Sequence, residues 1–168
     1  MKNTIRTLQD ALVYQLQGML YAEDKITREF QSCSHHITSD EVRSVIEEYL
    51  SNSHDIKLKL DRVFNYLMVN PVKRKNQVIE KMIEETQVLL SYAGSSHLRN
   101  VLMIGCIKNI NAYKIASYQT SYLTALELEL DTPADLIQQV LEWETNVSKS
   151  LNSLAFHEFK NVADHSES

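Results

Sequence analysis

The scarcity of chain breakers constrains this 168-residue sequence more than any other feature. It holds three glycines, Gly18, Gly94 and Gly105, and two prolines, Pro71 and Pro133, where average usage is roughly 7% and 5%. An all-β sandwich or barrel needs a turn signal every ~8–12 residues, and a doubly wound α/β fold needs glycine-rich strand-to-helix turns. Neither can be punctuated with so few breakers, so the expected class is all-α, built from long helices with few joints. One domain is expected over residues 1–159, followed by a polar tail at 160–168. A chain of this length buries about two thirds of its unfolded surface, which gives a core without disulfide or metal staples.

Apolar periodicity places the helices. From about Thr4 to Cys33, Leu8, Leu12, Leu16, Met19, Leu20, Ile26 and Phe30 recur every three or four residues and mark one helical face. The run Thr38-Ser39-Asp40-Glu41 offers a cap for a second long helix, whose face continues through Val42, Val45, Ile46, Tyr49, Ile56, Leu60, Val63, Phe64 and Leu67. Pro71 is expected to end it, because the residue before a proline avoids the α region. A shorter crossover helix is expected between Val72 and Ser91, stopped by Gly94. A third long helix spans about Ser96 to Leu130, and Asp131-Thr132-Pro133 restarts the chain with a threonine cap and a proline in the first turn. Gly18 and Gly105 fall inside helices, where a missing side chain permits close packing. Together these form a four-helix bundle with one additional short crossover helix.

Charge and composition narrow the partners. Seventeen basic residues against 22 acidic ones give a net charge of −5, which opposes attraction to a phosphate backbone, so no nucleic acid is expected. The longest apolar run, Val101 to Ile107, is too short to span a bilayer, and the opening Met1-Lys2-Asn3-Thr4 carries no apolar signal core. A cytoplasmic protein without a membrane partner is the expectation. Cys33 and Cys106 form no C-x-x-C pattern and read as reduced thiols.

Bundles of this kind carry their chemistry at polar positions facing inward at mid-helix, and each long helix has such an interruption. Glu23 falls between Leu16, Met19 and Ile26 on the first, and Glu144 between Val140, Leu141 and Val147 on the fourth. Asn52-Ser53-His54 interrupts the second, and Asn111 the third. Buried carboxylates are costly unless paired, hydrogen-bonded, protonated or bound to a cation, so two of them in one core require a partner. Carboxylate-bridged di-metal centres in bundles use a Glu from each of two helices and a Glu-x-x-His pair from each of the other two. Here His54 is preceded three positions earlier by Ser51, Asn111 is an amide, and Glu144 is followed by Val147 and Ser148. Glu23, Glu144 and His54 are the candidate metal ligands.

The stretches Tyr21-Ala22-Glu23-Asp24-Lys25-Ile26-Thr27-Arg28 and Tyr113-Lys114-Ile115-Ala116-Ser117-Tyr118, with Ser53-His54 between them, resemble the YciE/YciF-type ferritin-like family of small bacterial proteins. The likeness runs from about Thr7 to Leu154, and Y-x-I-A-S-Y is its most specific segment. It implies a ferritin-like bundle, a homodimer, a link to bacterial stress responses, and iron as the metal of a di-iron centre. It sets Glu23 on the first-helix ligand and His54 on the histidine of the Glu-x-x-His pair. The pair's glutamate falls on Ser51, the third-helix glutamate on Asn111, and an acidic residue one turn after Glu144 on Ser148. Three lost carboxylates weaken binding of hard cations, so the di-iron centre is expected to be degraded and the protein to act as a non-catalytic structural or interaction protein, with no catalytic residue and no organic cofactor. The alternative is an iron-binding oxidase, peroxidase or iron-handling protein using Glu23, His54 and Glu144, aided by Glu47 or Glu48.

Other features read more plainly. His35-His36 suit a solvated turn, Lys73-Arg74-Lys75 a solvated helix start, and Tyr113, Tyr118 and Tyr122 core packing with hydroxyls at its edge. Trp143 suits an interface.

Overall fold

The computed structural model describes residues 4–166, with side chains up to residue 160; residues 1–3, and 167–168 at the end of the expected polar tail, lie outside it. Five helices follow in order: α1 (Leu8–Ser34), α2 (Asp40–Tyr66), α3 (Gln77–Ser91), α4 (Ser96–Glu127) and α5 (Asp131–Ser166). The all-α expectation holds. No helix among the described residues is long and apolar enough to cross a membrane.

The helices start where short polar side chains can satisfy orphan amides. Thr7 and Asp10 form a reciprocal capping box on α1, and Ser39, Asn76 and Ser95 cap α2, α3 and α4. Two helices end by a device the sequence pattern did not show. Met68 and Glu129 adopt left-handed backbone, with φ of 53° and 55°, so α2 closes at Tyr66, short of Pro71, and α4 at Glu127. Asp131 is already helical, which displaces the expected threonine cap. The last helix runs on to Ser166, beyond the boundary expected at residue 159.

The crossover also differs. Residues 69–76 contain no helix, and α3 begins only at Gln77. The segment lies across α1 as a strap: the Arg74 amide donates to the Gln17 carbonyl at 3.2 Å, and its Nε to the Tyr14 carbonyl at 3.1 Å. The basic run is therefore a clamp rather than a helix start. A Cβ on Gly18 would stand 2.2 Å from Arg74 Nη2, so this glycine is the seat of the guanidinium. Gly105 faces open space, and no close packing explains it.

Contacts between helices close a ring in which α1 packs on α2 and α4, and α5 packs on the same two, with α3 outside against α1 and α4. Thus α1 lies diagonally opposite α5, and α2 opposite α4. The starts of α2 and α4 meet at one end, where the Thr38 amide donates to Asn100 Oδ1 at 3.2 Å, so this diagonal pair is parallel, as one long crossover demands.

Candidate functional site: a buried ionic centre

All four long helices bury positions separated alternately by three and four residues, the spacing of a bundle seam. On α1 these are Leu12, Leu16, Met19, Glu23, Ile26 and Phe30; on α2, Ile46, Tyr49, Ser53, Ile56 and Leu60. The α4 series is Ile104, Ile107, Asn111, Lys114, Tyr118, Ser121 and Ala125, and that of α5 is Ile137, Val140, Glu144, Val147 and Leu151. The polar members meet at one level in the middle of the bundle.

At their centre is an ammonium group. Lys114 Nζ lies 3.0 Å from Glu23 Oε2 and 2.5 Å from Glu144 Oε1, and all three side chains are 0–1% exposed. Two carboxylates from diagonally opposed helices thus close on one cation from the helix between them. Ser53 Oγ donates to Glu23 Oε2 at 2.5 Å, and the Tyr118 hydroxyl to Oε1 at 2.7 Å. Asn111 Nδ2 donates to Glu144 Oε2 at 2.7 Å and to the Glu144 carbonyl at 3.0 Å. The ammonium also sits 4.6 Å from the centre of the Tyr49 ring, within range of a cation–π attraction. The Tyr49 hydroxyl alone has no hydrogen-bond partner among the buried side-chain polar atoms described.

Two charges of one sign and one of the other, out of water, set the protonation. Burial by itself pushes the Lys114 pKa down, but the carboxylates of Glu144 and Glu23 outweigh it and hold the ammonium well above its usual range. Burial raises Glu144, opposed by Lys114 and reinforced by Glu23. The Tyr49 and Tyr118 phenols are both held well above 10 by burial, with Glu23 adding to each. Both phenols are therefore neutral at physiological pH, and Tyr118 acts as a donor.

Of the residues singled out in the sequence, Glu23, Ser53, Asn111, Tyr118 and Glu144 come together here. Tyr118, expected to hold its hydroxyl at the edge of the core, instead carries it to the centre, because the Glu23 carboxylate there needs a donor. His54 and Ser51 are exposed and Ser148 is half-buried, so none joins the two glutamates. The expected position of His54 is off by one: the step from Tyr49 to Ile56 passes through Ser53, which turns inward in its place. Glu47 and Glu48 also face solvent and supply no ligand, as do His35 and His36 in the turn. Trp143 is half-buried with the Lys59 ammonium 4.8 Å from its ring. Among the described residues no group of three or more His, Cys, Asp or Glu could hold a metal ion.

The residue that sequence reasoning missed is Lys114. Asn111 has two successors on its helix face, Lys114 and Ile115, and apolarity favoured the isoleucine. The three-four alternation from Ile107 and Asn111 to Tyr118 selects Lys114, and the need of two buried glutamates for a cation selects it again.

The di-iron centre implied by the ferritin-like resemblance does not fit this donor set. A cation with three N–H donors and no lone pair occupies the point between the two carboxylates, and the imidazole meant to complete the ligands is on the outside.

The fold and the site define a class: a four-helix bundle with a crossover helix, whose polar middle is an internal ion cluster. The chain belongs to the family described as a domain of unknown function, DUF892, whose profile matches residues 7–163. It is 23% identical over 161 residues to the protein YciF of Escherichia coli strain K12, covering 95% of this chain and 97% of that one. The crystal structure of the E. coli stress protein YciF superposes with a TM-score of 0.88 at 22% identity, over 93% of this chain and 99% of that one. YcfI of Rhodopseudomonas palustris, a suggested structural protein, superposes with a TM-score of 0.87 at 22% identity, over 90% and 97%.

Proposed function

We propose that this protein is a non-catalytic structural or interaction member of its family, serving in stress physiology with a bundle core held by an internal ion cluster in place of a ferritin-like di-iron centre. The observation that carries the reading is the Lys114 ammonium between Glu23 and Glu144. A divalent ion bridging those oxygens would have to displace a buried cation that is already paired with both. The relatives' descriptions as a stress protein and a suggested structural protein point the same way. Assembly as a cytoplasmic homodimer, implied by the resemblance, belongs to the same proposal, and light scattering on the purified chain measures the assembly.

Metal analysis of protein purified from iron- and manganese-supplemented cells tests the reading. The expected content is well below one equivalent, with a thermal midpoint unchanged by chelator. About two equivalents of iron, lost in a Glu23→Gln/Glu144→Gln variant, would overturn it and restore the oxidase alternative.

A further inference from the structure

We infer that Lys114 is a built-in counter-ion that holds the place of a single divalent cation, and that trimming its side chain turns the centre into a mononuclear site for a hard divalent metal. The inference rests on the reading of the core as metal-free and adds what keeps it so.

The geometry carries it. Glu23 and Glu144 approach from opposite corners of the bundle, and each presents one oxygen to the same point, the Lys114 nitrogen. Their remaining oxygens are fixed by other donors: Tyr118 holds Glu23 Oε1 and Asn111 holds Glu144 Oε2. Ser53 braces Glu23 Oε2 from the side. The carboxylates are thus oriented independently of the lysine and stay aimed at its position when it is gone. The Tyr49 hydroxyl, buried beside the ammonium without a partner, is a spare oxygen donor for an incoming ion or its water.

Charge favours a divalent occupant. Two carboxylates against one ammonium leave the cluster one unit negative, whereas a divalent ion would neutralise it. The available donors are carboxylate and hydroxyl oxygens without thiolate or imidazole, a set that suits manganese, magnesium or calcium. Removing the lysine beyond Cβ vacates the volume of four heavy atoms in a side chain with no solvent exposure. A merely structural ion pair would leave a void that no small cation repairs.

The experiment compares wild type, Lys114→Ala and Lys114→Met by thermal unfolding, with manganese(II) and, separately, methylammonium as probes, and counts bound manganese by electron paramagnetic resonance. Manganese is expected to leave wild type unmoved, to bind Lys114→Ala one-to-one, and to raise its midpoint by about 5–10 °C near saturation. Methylammonium should give a smaller rise in the same variant. Lys114→Met, with the space filled by an apolar chain, should respond to neither. If Lys114→Ala fails to fold alone, its yield on refolding with manganese against metal-free buffer is read instead, together with the milder Lys114→Ala/Glu144→Gln pair, which should fold and bind manganese more weakly. Lys114→Ala indifferent to both probes in either format overturns the inference while leaving the metal-free core intact. One-to-one manganese in wild type, removed by chelator, overturns the underlying reading as well.

Discussion

Two polar assemblies fasten other parts of the chain to α1, and they do so in opposite dielectric surroundings. Inside the bundle, Glu23 is tied to α2, α4 and α5 through Ser53, Lys114, Tyr118 and Glu144, all out of water. Outside, one turn and more towards the start of α1, the strap 69–76 is held by Arg74 over Tyr14, its guanidinium 3.7 Å from the ring centre, and by Asn76, which donates to the Gly18 carbonyl at 3.4 Å and to Tyr113 at 3.0 Å. Both use a cation against an electron-rich partner. They differ in what happens when one member is lost, because water can replace the exposed Arg74 contacts but reaches neither the core nor the buried Asn76.

The largest expected effect follows from that difference. Lys114→Met leaves two uncompensated carboxylates in the core, and breaking a buried pair in this way costs about 3–5 kcal/mol. Replacing the whole cluster with neutral groups, as in Glu23→Gln/Lys114→Met/Glu144→Gln, should cost less than the single substitution, since no charge is left unpaired. Glu144→Gln alone should also cost less than Lys114→Met, because it leaves one carboxylate facing one ammonium. Urea unfolding of the four proteins checks the order; a triple variant less stable than Lys114→Met would break the account of the centre as a charge cluster.

The pH dependence has a definite sign. The Lys114 pKa in the fold lies above 10.5, so its contribution is complete below about 10.5 and is lost as pH rises through the folded value. The stability gap between wild type and Lys114→Met should therefore hold from neutral pH to about 10 and shrink above it. Glu144 is also raised, from 4.5; its contribution is full below 4.5 and falls as pH rises through the folded value. Wild type should accordingly gain on Glu144→Gln as the solution is acidified from neutrality.

Within the centre, the neutral donors rank next. Tyr118→Phe removes the donor to Glu23 Oε1 and leaves a buried carboxylate oxygen unsatisfied, at about 1–3 kcal/mol. The same change at Tyr49, whose hydroxyl has no partner, should cost nothing or stabilise. A Tyr49→Phe variant as damaged as Tyr118→Phe would mean that the unpartnered hydroxyl has a role in the resting core.

How legible each assembly was in the sequence also separates them. The bundle was readable because helix periodicity is a local signal repeated over many residues, and Glu23, Asn111 and Glu144 were readable as breaks in it. His54 was misplaced because one position of register moves a side chain by about 100° around a helix, and a histidine drew more weight than the serine beside it. Lys114 was hidden because lysine on a helix is ordinarily solvated, and only the demand of two distant carboxylates makes it a core residue. The strap was unreadable for a different reason. Nothing in Lys73-Arg74-Lys75 specifies an extended path, which is dictated by contacts to a glycine more than fifty residues earlier and by the left-handed turn at Met68.

The smallest effects belong to the strap, where two terms compete. Gly18→Ala gains up to about 1 kcal/mol of helix propensity, but the new methyl group would meet Arg74 Nη2 at 2.2 Å, which forces the guanidinium off the helix. What meets the methyl is the end of a flexible side chain, so the arginine can swing into solvent, giving up a cation–π contact worth about 0.5–1 kcal/mol and its bond to Tyr14. The two terms nearly cancel, and the thermal midpoint should move by less than about 2 °C. Arg74→Ala alone loses the contact without the propensity gain and should be the more damaging of the two. In the double variant the substitutions share one contact, so their costs should fall short of a sum. A Gly18→Ala protein as unstable as Lys114→Met would mean that the backbone of the strap, rather than the arginine tip, rests on that glycine, and that the outer clamp is as unforgiving as the core.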